Sequence, residues 1–279
     1  MVGKLERSKA VVTGAGRGIG RAIAVGLARE GSFVALVART ESELRETQEI
    51  IRRDSGEAVV MPADVSRPEE VMKLADRAQD EMGAIDLLVN DAGRLGSLGP
   101  AWEADPENWW SDVTVNLFGV FLACRAFLPD MIERDRGRIV NMVGGGTASP
   151  FPFASAYASS KAAAMRFTEN LAVELDEMGA SIRVFALSPG FVKTEMTEQF
   201  RETEKGRKWM DYMAERLEEG QDVPPEPAAD IIVDIATGVL DRLHGRYLHS
   251  PEDATELNTL RDEAEEIVAK DARTLRLRK

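Results

Sequence analysis

Seven short runs of apolar, often β-branched residues punctuate the chain: Lys9–Thr13, Ser32–Ala38, Ala58–Met61, Ile85–Asn90, Arg138–Val143, Ser181–Leu187 and Arg246–His249. Apolar residues in these runs follow one another instead of alternating with polar ones, which is the pattern of parallel strands covered on both faces. The segments between them carry apolar residues at helical spacing, most clearly Arg21–Glu30, Pro68–Met82, Asn108–Glu133 and Ser155–Met178. Strands alternating with helices imply right-handed crossovers. The predicted fold class is therefore α/β, a single-domain, doubly wound parallel seven-stranded sheet flanked by helices on both faces, with its ligand at the carboxyl ends of the strands.

Two segments depart from this rhythm. Residues 191–227 hold charged helical sequence, Trp209, Tyr212 and a VPPEP break. From Pro251 the chain is acidic up to Glu266 and then basic through Arg273, Arg276, Arg278 and Lys279. A solvated helix is the default reading of that tail. Its sparse apolar positions, Leu257, Leu260, Ile267 and Val268, offer a second: docking on a neighbouring subunit. The division is a main unit over residues 1–250 and a charged helical extension over 251–279.

Composition narrows the function. A chain of 279 residues with 44% hydrophobic content can bury one large core. A formal charge of −13 disfavours nucleic acid and anionic membrane surfaces, which reward a concentrated basic face. One cysteine, Cys124, in the apolar stretch GVFLACRAF reads as a core thiol, and with two histidines it cannot build a typical zinc site, so no metal is expected. No apolar stretch near 18 residues and no secretory start is read from the sequence, so the expected location is cytoplasmic.

The candidate chemistry lies in two places. VVTGAGRGIG puts Gly14, Gly18 and Gly20 between the first strand and first helix, in the spacing G-x-x-x-G-x-G, with Arg17 and Ile19 in the same turn. A strand, tight turn and helix in that order aim backbone N–H groups and a positive helix end at a diphosphate. Far downstream, Tyr157 and Lys161 stand four residues apart in SAYASSKAA, about one helical turn, so both leave one face of a helix. A neighbouring ammonium favours phenolate and is expected to pull the phenol below its usual value near pH 10, making Tyr157 a general acid/base.

With these motifs in this order, the chain resembles the short-chain dehydrogenase/reductase family from about Lys9 to Leu248, and the resemblance implies a Rossmann fold and a nucleotide-dependent oxidoreductase. NDAG at Asn90–Gly93, including Ala92, resembles the family's N-N-A-G turn, with Asp91 in place of the second asparagine. Asn116 matches the asparagine that holds a proton-relay water near the lysine. Pro189 and Gly190, with Val192 and Thr194, resemble the segment that grips the nicotinamide carboxamide, and Asp64 and Val65 the pair flanking the adenine. The resemblance also implies a substrate lid over 191–227 and a homodimer or homotetramer formed through the two long helices.

The family's active-site serine falls, by counting back 13 residues from Tyr157, on Gly144, and neither Val143 nor Gly145 supplies a hydroxyl. Three substitutes stay open. Thr147 or Ser149 swings into the gap; the N–H groups of the glycine run act as donors; or Tyr157 polarises the carbonyl alone. With turnover weak or lost, the alternative function is a nucleotide-binding sensor or partner subunit. At the end of the second strand Ala38 stands where a carboxylate would select the ribose 2′-OH, and Arg39 follows it. With Arg17 it forms a candidate 2′-phosphate clamp, so NADP(H) is the preferred cofactor and NAD(H) the alternative. The expected partner is a small carbonyl or alcohol substrate. Leu95, Phe151, Phe153, Phe191 and Met196 read equally as its apolar pocket or as core, and Trp102, Trp109 and Trp110 as packing or subunit contacts.

Overall fold

Each apolar run forms a strand: β1 (Lys9–Thr13), β2 (Phe33–Val37), β3 (Glu57–Val60), β4 (Leu87–Asn90), β5 (Arg138–Met142), β6 (Arg183–Ser188) and β7 (Tyr247–His249). They make one parallel sheet in the order β3-β2-β1-β4-β5-β6-β7. This computed structural model describes residues 3–276, so Arg278 and Lys279 of the basic tail lie outside the described residues. The order reverses direction between β1 and β4, and the loops there part to leave a crevice.

The helices are α1 (Gly18–Arg29), α2 (Glu41–Arg53), α3 (Pro68–Met82), α4 (Pro106–Val113), α5 (Gly119–Glu133) and α6 (Ser155–Glu177), then α7 (Glu195–Glu202), α8 (Glu204–Trp209), α9 (Asp211–Glu218) and α10 (Glu226–Thr237). Three short helices follow β7: α11 (Ser250–Asp253), α12 (Leu257–Asp262) and α13 (Ala264–Ala269). Successive strand residues point to opposite faces. Ala10 and Val12 accordingly pack with Ile23 and Leu27 of α1 and with α10, while Val11 packs with Leu74 of α3, Phe127 of α5 and Leu175 of α6. Both faces are covered, which is why the runs are apolar throughout.

Three expectations need correction. Asn108–Glu133 is not one regular helix: α4 and α5 are joined by a π-helical turn, Thr114–Phe118, that carries Asn116. A one-residue widening barely disturbs apolar spacing, so periodicity does not show it. The same stretch, Pro106–Glu133, is in fact long and apolar enough to meet the length and hydropathy of a membrane span, contrary to the reading that none exists; half of its most apolar window is buried within the fold.

The tail does not stand off as a solvated helix, and its apolar positions do not wait for a neighbouring subunit. Leu260 and Ile267 are buried in the chain's own core beside α10, with Leu257 partly buried against it. Arg273 forms a two-pronged ion pair with the buried Asp253, at 2.8 Å to each oxygen, and its carbonyl accepts the outward N–H of Tyr247 on the sheet's edge strand. Val268 stays exposed.

Candidate active site

The glycine turn is shaped by close backbone approach. A β-carbon on Gly14, which adopts φ +72°, would stand 2.9 Å from the Ala92 nitrogen, and one on Gly20 would stand 2.3 Å from the Gly14 carbonyl oxygen. Gly18, at φ +55°, faces the Thr194 methyl. The residue at the N-cap of α1, Arg17, makes no side-chain cap bond, and the first turn itself holds no acidic residue. Its leading N–H groups therefore aim into the crevice, and the turn fits a diphosphate.

The crevice, about 730 Å³, runs past this turn to Tyr157 and Lys161. Both rise from the first two turns of α6, and the Lys161 ammonium lies 5.6 Å from the Tyr157 ring centroid. Lys161 is 4% exposed and donates to the Met142 carbonyl at 2.8 Å. Burial lowers it to about 8, against the pull of the Asp91 carboxylate, which raises it. Tyr157 departs from expectation. Burial, and then the Asp91 charge, push the phenol above its ordinary range instead of below it. The group is therefore a neutral phenol throughout the neutral pH range.

Asn116 is fully buried. Its amide donates to the Arg94 carbonyl at 2.8 Å and to the Ser160 hydroxyl at 3.1 Å, and its oxygen accepts the Arg94 N–H at 2.8 Å. With both amide protons spent, its side chain can hold a relay water only as an acceptor. The loop it anchors is fixed a second time by buried Asp112, which takes the N–H groups of Gly96 and Ser97 and pairs with Arg94.

At position 144 a β-carbon would stand 3.0 Å from the Tyr157 hydroxyl oxygen, so the missing serine leaves its hollow directly beside the phenol. The Gly144 N–H is engaged: it donates to the Thr147 hydroxyl oxygen at 3.2 Å. Thr147 is buried, whereas Ser149 is exposed and makes no side-chain hydrogen bond among the described residues.

At the other end of the crevice, Arg39 is exposed and forms no ion pair among the described residues, but Arg17 is committed to Glu195 and, at 3.3 Å, to Glu43. The two guanidinium groups therefore do not form a ready clamp. Above them, Thr194 caps α7, and Gln199 of α7 donates to the Leu95 carbonyl at 2.9 Å, tying the 191–227 segment across the crevice. Leu95 and Met196 line the crevice. Phe151 and Phe191 pack around Tyr157 in the same cluster, and Phe153 stacks on Trp209 at 5.0 Å. Trp109 donates to Ser155 at 3.1 Å, while Trp102 and Trp110 are exposed.

Gly14, Arg17, Gly18, Ile19, Arg39, Asp64, Val65, Ala92, Gly93, Pro189 and Thr194 all line this crevice. Asn90, Gly20, Gly190 and Val192 do not. Asn90 is a core polar tie, donating to Asn141 at 2.9 Å; Gly190, at φ +81°, packs on Pro251; Val192 bridges to Val223. Cys124 is buried and its thiol is pushed up to about 12 by burial. Among the described residues no group of three or more His, Cys, Asp or Glu is placed to hold a metal. Sequence reasoning noticed Asp91 only as a motif departure and missed its charge next to the Tyr157–Lys161 pair.

A family model described as short chain dehydrogenase matches residues 8–205, and the chain belongs to that family. It is 34% identical over 275 residues to a short chain dehydrogenase of Pseudocercospora fijiensis, covering 94% of this chain and 85% of the relative. Its fold is similar to actinorhodin polyketide ketoreductase with NADPH (32% identity, TM-score 0.79, 89% and 97% of the two chains covered) and to NAD⁺-bound xylitol dehydrogenase (27%, 0.81, 88% and 98%). The chain is thus an oxidoreductase of the short-chain type, and its neighbours carry either nicotinamide dinucleotide.

Proposed function

We propose that the protein is an NADP(H)-dependent carbonyl reductase or alcohol dehydrogenase in which Tyr157 exchanges the proton. The observation that carries this reading is the convergence, in one crevice, of the glycine turn that opens α1, the Tyr157–Lys161 pair and an apolar wall of Leu95 and Met196. Bound reduced nicotinamide supplies the hydride. Tyr157, kept neutral by burial, hands its proton to the carbonyl oxygen. Lys161 holds positive charge beside the phenol, and Asn116 offers an acceptor for the water that resupplies it. Thr147, whose buried hydroxyl oxygen already sits against Gly144, is the substitute for the missing serine.

Arg39 is the group that favours a 2′-phosphate. Residues 1–250 bind nucleotide and substrate, with 191–227 as the lid. Exposed Phe118 in the π-helical turn, Phe121 in α5 and Val173 in α6 provide a surface for a homodimer or homotetramer. A panel of ketones and secondary alcohols, read by nucleotide absorbance with NADPH and NADH in turn, tests the reading: ketone-dependent NADPH oxidation is expected. The hollow at Gly144 favours a second reading, a nucleotide sensor, which the same panel would show as binding of nucleotide without turnover on any substrate.

A further inference from the structure

Asp91 is a carboxylate that the proposed chemistry does not use. Its backbone is fixed from β1, where the Thr13 hydroxyl oxygen accepts the N–H groups of Asp91 and Ala92 at 3.1 Å each. Its side chain reaches the first turn of α1, where it accepts the Gly20 N–H, and a β-carbon on Gly20 would stand 2.7 Å from its Oδ2. Tyr157 and Lys161 of α6 line the same crevice as Asp91. The nearby guanidinium groups are otherwise committed, Arg94 to Asp112 and Arg17 to Glu43 and Glu195.

We propose that Asp91 is a positioning residue of the active site: seated on the α1 turn, its charge keeps Lys161 an ammonium and Tyr157 a phenol before any dinucleotide binds. A negative charge stabilises the cationic form of the amine and opposes ionisation of the phenol, so both effects run the same way. Asp91 is itself pushed up to about 7 by burial, partly offset by Lys161 and by the Gly20 N–H. It therefore gains charge across the neutral range and passes that change to its two neighbours. An asparagine there would keep the Gly20 contact and lose the coupling.

The inference rests on the oxidoreductase reading, and its test separates the two with Asp91→Asn and Asp91→Ser beside the wild type. In ketone reduction the alkaline limb of the pH profile of kcat/KM should move down by roughly one pH unit in both variants, the size of a neighbouring-charge effect. Melting temperature without nucleotide is the second readout. A carboxyl raised in the folded state contributes stability that is present below its unfolded value and lost as pH rises through its folded value. Between about pH 4 and 7 the wild type should thus lose melting temperature relative to both variants. A gap that stays constant over that window, or an alkaline limb that does not move, overturns the inference. Absence of turnover in the wild type would defeat the oxidoreductase reading instead, and the melting comparison would still judge the buried charge.

Discussion

Thr147 turns its hydroxyl oxygen onto the backbone N–H of Gly144 at 3.2 Å, and Gly144 in turn faces the Tyr157 hydroxyl. The donor lost from position 144 is thereby replaced, in the proposed reaction, by a hydroxyl three residues on. Thr147→Val should lower kcat by roughly 10²-fold, as removal of one oxyanion donor does. Gly144→Ser added to that variant should recover most of the loss, because Gly144 does not need positive φ and its β-carbon position points at the phenol. Steady-state kinetics on one reduced ketone measures both; an unchanged kcat in Thr147→Val would remove Thr147 from the reaction.

Arg39 forms no ion pair among the described residues, whereas Arg17 would have to leave Glu43 and Glu195 to reach a 2′-phosphate. Loss of a charged hydrogen bond costs about 1.5–3 kcal/mol, so Arg39→Ala should weaken NADPH binding by roughly tenfold or more. NADH binding should be unaffected. Calorimetric titration with both nucleotides reads the difference, and equal losses would assign Arg39 no role in phosphate selection.

Most of the architecture was legible in the chain because buried parallel strands leave uninterrupted apolar runs, and each observed strand falls within two residues of its run. What escaped depends on geometry that spacing does not encode. The π turn at Thr114–Phe118 shifts the ladder without altering apolar periodicity. The elevated phenol arises from burial and from Asp91, and burial is set by depth in the fold. The motif at Asn90 borders the crevice, but spacing does not show that its amide turns inward to Asn141. The tail misled through sparse apolar positions, which pack only because α10 and β7 are already there.

That packing makes the tail part of the core. Deleting residues from Asp253 onward removes Leu260 and Ile267 from it and breaks the Asp253–Arg273 pair. Large-to-small changes at such sites cost about 2–5 kcal/mol each, so the truncated chain should melt well below the full one in scanning calorimetry. Equal melting temperatures would show the tail to be dispensable.

Phe121 is exposed on α5, in edge contact with Phe167 of α6. Phe121→Glu puts a charge on the face proposed for self-association. Light scattering should report a shift toward monomer at equal concentration, while an unchanged mass would place the interface elsewhere.

In the proposed reaction Tyr157 delivers the proton, and removing its hydroxyl alone isolates that step. Tyr157→Phe keeps the ring packed against Phe151 and leaves Lys161 bonded to Met142. NADPH affinity, measured by titration, should stay near the wild-type value while kcat for ketone reduction falls by roughly 10²–10⁴-fold, the usual contribution of a general acid. Retention of wild-type turnover in Tyr157→Phe, with nucleotide bound as tightly as before, would rule out Tyr157 as the proton donor.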